Sequence, residues 1–116
     1  MVKRSKNSER DLFPGALEMM ILQTLKRQPL HGYALAQRIK HTSNDVLQIE
    51  EGSLYPALQR LLRAELLKVK WAVSATKRRI RVYSLTPAGA KHLQTQVSSF
   101  ERMLTGIQRV LAPEES

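Results

Sequence analysis

Apolar residues in this chain fall at helical spacing through the first half, alternate with polar ones in a short central stretch, and end in a heptad. Leu17, Ile21, Leu22 and Leu25 share one face of a helix predicted over 14–27, with Pro14 tolerated in its first turn. Gln28-Pro29 ends it. A second helix is predicted over 32–42, with Tyr33, Leu35, Ala36 and Ile39 as its apolar side. Ser43-Asn44-Asp45 reads as a turn and 46–49 as a short extended piece. In a third helix, over 53–64, Leu54, Leu58, Leu61 and Leu62 fall at i, i+4, i+7 and i+8 and make one core-facing stripe. Ser53, Pro56, Gln59, Arg60 and Arg63 are left on the other side. Gly52-Ser53 offers the N-cap, and Pro56 lies close enough to the start to forfeit no essential backbone bond.

The pattern then changes period. Leu67, Val69, Trp71 and Val73 alternate with Lys68, Lys70 and Ala72, as in a half-buried strand. The return strand holds Ile80, Val82, Tyr83 and Leu85, with Arg79 and Arg81 interleaved. Thr86-Pro87 is an N-cap followed by proline at the first helical position. From there Ala90, Leu93, Val97, Phe100, Leu104, Ile107 and Leu111 step alternately by three and four residues, a 3.5-residue period. At ~1.5 Å per residue, a 25-residue helix runs about 37 Å, longer than a body of about 85 residues covers. Part of it should meet another chain. A homodimer is the expected solution, with Leu93, Val97, Phe100, Leu104, Ile107 and Leu111 at its interface.

Composition narrows the class. With 116 residues the chain has room for one core, and 42% hydrophobic with 25% charged residues is ordinary globular composition rather than that of a disordered chain. No apolar stretch approaches the ~20 residues needed to span a bilayer. The basic N-terminus lacks the apolar segment of a secretory signal. The absence of cysteine removes disulfides and thiolate metal sites, and fits a cytoplasmic protein. The net charge of +9 is unevenly placed: residues 1–85 hold 16 Lys/Arg against 7 Asp/Glu, whereas 86–116 hold 3 of each. An excess confined to the segment with the third helix and hairpin implies a surface for a polyanion.

Three helices, a β-hairpin and a fourth helix follow the order of a winged helix-turn-helix. The expected fold is therefore mainly α with a β-hairpin (α+β): a flexible basic arm at 1–11, a winged DNA-binding domain at 12–85, a C-terminal dimerisation helix at 86–112 and a tail at 113–116. In that order the third helix enters the major groove of double-stranded DNA and the hairpin reaches the flanking backbone or minor groove. Arg60 and Arg63 suit guanine or phosphate, and Gln59 suits adenine. Ser53 and Tyr55, with Pro56 beside them, lie near the helix N-terminus, where phosphate oxygens are favoured. Lys77, Arg78, Arg79 and Arg81 make the hairpin cationic. A solvated basic face, with Tyr55 as a core-edge aromatic, is the plainer reading of the same residues. Lys3, Arg4 and Lys6 of the arm add further candidate phosphate contacts.

These residues also resemble a known family. H-G-Y at 31–33, E-E-G-S-L-Y-P-A-L at 50–58 followed by Arg60-Leu61, and R-R with Y-S-L-T-P-A-G ending at Gly89 are similar to the PadR family of bacterial transcriptional regulators. The resemblance spans 12–111. Only 27 residues follow Gly89, as in the short subfamily whose single C-terminal helix makes the dimer. It implies a repressor, in a family that often controls efflux, transport or stress genes and whose members in some cases release DNA on binding small aromatic effectors. A nonspecific nucleic-acid-binding architectural protein is the alternative function.

Two positions depart from the family pattern. Where glycine usually closes the recognition helix in a left-handed turn this chain has Glu65, which costs about 1 kcal/mol in that conformation, so either the cap is strained or the turn differs. The hairpin tip, Ser74-Ala75-Thr76-Lys77, lacks the glycine or asparagine of a tight turn, which predicts a longer, mobile loop. Phe100 reads either as an ordinary position of the heptad stripe or, with its two-fold mate, as the lining of a pocket for a flat hydrophobic effector. Enzymatic chemistry has no support: His31, His41 and His92 form no metal-binding pair, the glycines never cluster into a phosphate loop, and Ser53 has no neighbouring base. No cofactor or metal is expected.

Overall fold

The computed structural model describes residues 15–114; the basic arm, Pro14 and residues 115–116 lie outside them. Helix α1 (Ala16–Arg27) starts after Gly15, whose φ of 82° is left-handed, and buries Leu17, Ile21, Leu22 and Leu25 as their spacing requires. A two-residue strand, β1 (Leu30–His31), precedes α2 (Gly32–Thr42). Leu35 and Ile39 of α2 are buried, but Tyr33 is 65% exposed and does not join the apolar side. Residues 46–49 form no strand, because the turn continues: the Leu47 N–H donates to the Ser43 hydroxyl and Val46 is exposed.

Helix α3 (Glu51–Arg63) begins two residues before the predicted start, with Glu50 at the N-cap and no side-chain capping bond. Ser53 is therefore the third helical residue rather than the cap. Pro56 lies inside the helix, where its missing N–H forgoes the bond to the Gly52 carbonyl. The apolar stripe is Leu54, Ala57, Leu58 and Leu61, with Leu62 only partly buried. At the other end Glu65 has φ 62°, its N–H donates to Leu62 O (2.9 Å) and the Leu66 N–H donates to Leu61 O (3.0 Å). That bond pair is a Schellman closure, so the cap is the strained alternative. Glu65→Gly should raise stability by about 1 kcal/mol, or about 4–8 °C in Tm for a domain of this size. A thermal melt showing no gain would contradict the strain.

Strands β2 (Leu67–Val73) and β3 (Arg79–Leu85) pair antiparallel, from Leu67 opposite Leu85 to Val73 opposite Arg79. β1 adds to the far side of β3, with Leu30 opposite Tyr83, so the hairpin is part of a three-stranded sheet of order β1-β3-β2. The tip is tight, not long: Ser74 N–H donates to Arg78 O and Lys77 N–H to Ser74 O, both at 2.9 Å. Lys77 adopts φ 66°, the left-handed position that glycine usually fills in a three-residue hairpin. The Ser74 hydroxyl replaces some of the missing turn chemistry by accepting from the Arg78 N–H.

Helix α4 (Pro87–Leu111) is capped by Thr86, whose hydroxyl accepts from Gly89 N–H (3.0 Å) and donates to Glu65 O (2.9 Å). The Thr86 N–H also donates to Leu66 O. A Cβ on Gly89 would overlap that Leu66 oxygen, so only glycine lets α4 start this close to the end of α3. The first turns of α4 complete the core through Leu93, which is 2% exposed, and Val97 packs against it. Leu93 is thus a correction to the expected dimer set: its own chain already encloses it. Beyond Phe100 the helix leaves the body, and Met103, Ile107, Val110 and Leu111 are exposed.

Candidate nucleic-acid interface

The buried stripe of α3 fixes which side chains point away from the body. At 100° per residue, Gly52, Pro56, Gln59 and Arg63 lie opposite Leu54, Ala57, Leu58 and Leu61, and all four are exposed. Ser53 and Arg60 fall on one margin of that face, and Tyr55 on the other. The outward set thus contains a glutamine, an arginine and no acid.

Each margin is engaged by a neighbouring helix. Tyr55, 42% exposed, lays its ring over Gly32: a Cβ there would sit 2.7 Å from the tyrosine hydroxyl. The H-G-Y and S-L-Y-P segments are therefore two halves of one contact, and Tyr55 is partly a packing residue. Arg60 leans the other way, onto α1. Its Nε donates to Glu18 Oε2 at 2.8 Å and its Nη2 lies 2.6 Å from the same oxygen. Arg60, expected to meet guanine or phosphate, is thus paired with an acid of its own chain. Arg63 is the arginine at the centre of the exposed face.

The hairpin register sorts the wing cations onto two faces. Trp71 pairs with Arg81 and Val73 with Arg79, so these four share the face that, nearer the body, carries buried Leu67 and Tyr83. Lys68 and Lys70 point to the opposite face. On the first face the Arg79 guanidinium lies 4.3 Å from the centre of the Trp71 ring, while Arg81 lies 6.0 Å from Trp71 and 5.8 Å from Tyr83. Cation and ring alternate from the tip inward, an arrangement that restricts both guanidinium groups. Lys77 and Arg78 are exposed at the tip.

Trp71 is 58% exposed and Val73 69%, so the outer half of β2 is not the half-buried strand expected of it. Sequence reasoning left Trp71 out of the site. A three-residue turn centred on Thr76 would have placed it opposite Arg81, but the longer loop expected there left the register open. At the root of this face, burial pushes the Tyr83 hydroxyl above its ordinary pKa, against the pull of Arg81 and with a further upward push from Tyr55. The phenol stays neutral, as a packed core group should.

Among the described residues no group of three His, Asp or Glu could hold a metal ion, and no helix is long and apolar enough to cross a membrane. The family model described as "Transcriptional regulator PadR-like family" matches residues 21–95. A transcriptional regulator from Clostridium thermocellum is 25% identical, with a TM-score of 0.80 over 88% of this chain and 99% of that one. A PadR family transcriptional regulator from Eggerthella lenta is 27% identical, with a TM-score of 0.76 over 93% of this chain and 92% of its own. A Lysinibacillus sphaericus protein is 27% identical across 78% of this chain and 83% of its own.

Proposed function

The chain belongs to the PadR-like family of transcriptional regulators, and on that premise we propose that it is a cytoplasmic repressor that binds a two-fold-symmetric operator in double-stranded DNA as a homodimer. The observation that supports this most is the outward face of α3, where Gln59 and Arg63 stand clear of the core stripe; the wing adds an exposed face on which Arg79 stacks over Trp71. Glutamine and arginine are the side chains whose paired donors and acceptors match adenine and guanine edges in the major groove. The wing arginines and Lys77 suit phosphates, which position the protein without reading sequence.

The dimer reading draws on Leu104, Ile107 and Leu111, which continue the heptad past the part of α4 that the core covers. An isologous pairing of that free half presents two α3 helices to one side of a duplex. Half-site centres are then about 10 base pairs apart, or a multiple of that. Repression needs nothing further, since a dimer seated across a promoter excludes other proteins from it.

Two substitutions separate base reading from backbone attraction. Arg63→Ala should weaken binding to the preferred operator by about 1–3 kcal/mol and change binding to random DNA far less. Lys77→Ala should weaken both alike and lower the salt slope of the dimer by about 1.8, one phosphate contact from each wing. The measurement is fluorescence anisotropy with labelled duplexes, and Trp71, the sole tryptophan, gives an independent signal from the wing. Equal losses on operator and random DNA for Arg63→Ala would remove its base-reading role.

A further inference from the structure

Among the described residues, Arg60 is the recognition-helix cation that an acid holds. Both contacts converge on one carboxylate oxygen, Glu18 Oε2, from Nε and Nη2 of the same guanidinium. Glu18 sits in the first turn of α1, where the helix N-terminus favours a negative side chain. Its side chain is 21% exposed, against 47% for Arg60. The acid is the anchored member of the pair, and the arginine is the member that reaches the surface.

We propose that Glu18 is a specificity-determining residue: by holding Arg60 it keeps this arginine from acting as a mobile phosphate anchor, so that the recognition helix discriminates more and adheres less. The proposal rests on the DNA-reading face assigned above to Gln59 and Arg63. A free arginine at the margin of that face would neutralise whatever phosphate came within reach, in any sequence. Paired with Glu18, the same group carries no net charge. Drawing it onto a phosphate strips Glu18 of its partner and leaves a carboxylate facing a polyanion, a repulsion that falls on every sequence alike. A base edge makes a smaller demand. The guanidinium retains donors that Oε2 does not engage, and these can meet a groove acceptor while the pair stays closed. Glu18 also disfavours any docking register that brings a phosphate against the start of α1. It is a positioning residue acting through Arg60, and salt dependence reports that role directly.

The test uses the full chain as wild type, Glu18→Gln, Arg60→Ala and the double variant. Each is titrated with two duplexes, an operator recovered by selection and a random sequence, between about 50 and 200 mM salt. Glu18→Gln keeps the size of the side chain and removes its charge. It should bind random DNA more tightly than the wild type at low salt, with a log–log salt slope steeper by about 1.8 for the dimer, one freed arginine in each protomer, so that its affinity falls about 12-fold more across that range. The operator should gain less, and the operator-to-random ratio should drop. Arg60→Ala alone should bind random DNA more weakly than the wild type, because it leaves the Glu18 carboxylate unpaired before the polyanion. The double variant, in which neither member is charged, should return to the wild-type slope, because the held arginine neutralises no phosphate. An unchanged slope in Glu18→Gln, or a double-variant slope below that of the wild type, would overturn the proposal. A wild type with no operator preference overturns both the proposal and the reading beneath it, and is recognised before any variant is compared.

Discussion

Gly89→Ala should destabilise the domain strongly. The added Cβ would overlap the Leu66 carbonyl oxygen and lie 2.7 Å from Leu85 Cδ1. A leucine methyl can rotate aside, but the Leu66 carbonyl is held in place by the Schellman closure of α3 and by its bond from the Thr86 N–H. Relief therefore has to come from moving α4 away from the end of α3, which breaks the bonds from the Thr86 hydroxyl to Glu65 O and from the Thr86 N–H to Leu66 O and opens the contacts of Leu93 with the core. Overpacking of this kind costs about 3 kcal/mol, equivalent to a Tm fall on the order of 10–25 °C in a domain of this size. Gly106→Ala is the matched control. Gly106 lies in the same helix, and a methyl group there would meet nothing within 4 Å, so the substitution should gain roughly 0.5–1 kcal/mol from helix propensity. Thermal and urea melts of the two variants should move in opposite directions. If both moved alike, close packing at the joint would not be what Gly89 serves.

That joint also bears on function. The end of the recognition helix is tied to the start of α4 through Thr86, Glu65 and Leu66. A partner held on the far half of α4 would thus position α3 through a short, bonded path.

The double substitution Leu104→Glu, Ile107→Glu should give a folded monomer. Neither side chain belongs to the core, whereas Leu93 and Val97 do or pack against it, so the melt should scarcely change while the heptad stripe gains charges that cannot be buried face to face. Losing the second half-site converts an intramolecular contact into an independent one, and operator affinity should fall by about 10²–10⁴. Random-DNA affinity should fall much less, since it depends on phosphate contacts that each wing makes alone. Light scattering reads the mass and anisotropy the affinity. Leu93→Ala makes the contrast: a core truncation of that kind costs about 2–5 kcal/mol of stability. A charged variant that stays dimeric at micromolar concentration would rule out the outer stripe as the interface.

Most of the architecture was legible because it rests on long, periodic segments. Leu17, Ile21, Leu22 and Leu25, the third-helix stripe, the alternation of β2 and the heptad of α4 each repeat often enough to exclude another period. β1 was not legible, since two residues carry no period and Leu30 takes its place in the sheet only through Tyr83. The wing shows how one local choice propagates: with Lys77 accepting a left-handed conformation the turn is three residues long, and only that length decides that Arg79 and Arg81 lie beside Trp71 rather than beside Lys70.

The candidate site was legible in the sequence as a set of exposed residues but not as a geometry. Gln59 and Arg63 can be placed opposite the core stripe by counting. The withdrawal of Arg60 cannot, because its partner Glu18 lies 42 residues away in sequence and no local rule connects them. Leu93 has the same origin. A heptad stripe marks residues that seek an apolar partner without saying whether the partner is the same chain or another, and the first turns of α4 find theirs in α1 and the core.

Selection of bound duplexes from random DNA at fixed salt, followed by the operator-to-random affinity ratio, tests the central claim most directly. A symmetric reader should recover an inverted repeat with half-site centres about 10 base pairs apart or a multiple of that, bound at least about 10³-fold more tightly than random sequence. No enriched motif, a ratio near one and steep salt dependence would contradict the claim and leave a nonspecific DNA-binding protein in its place.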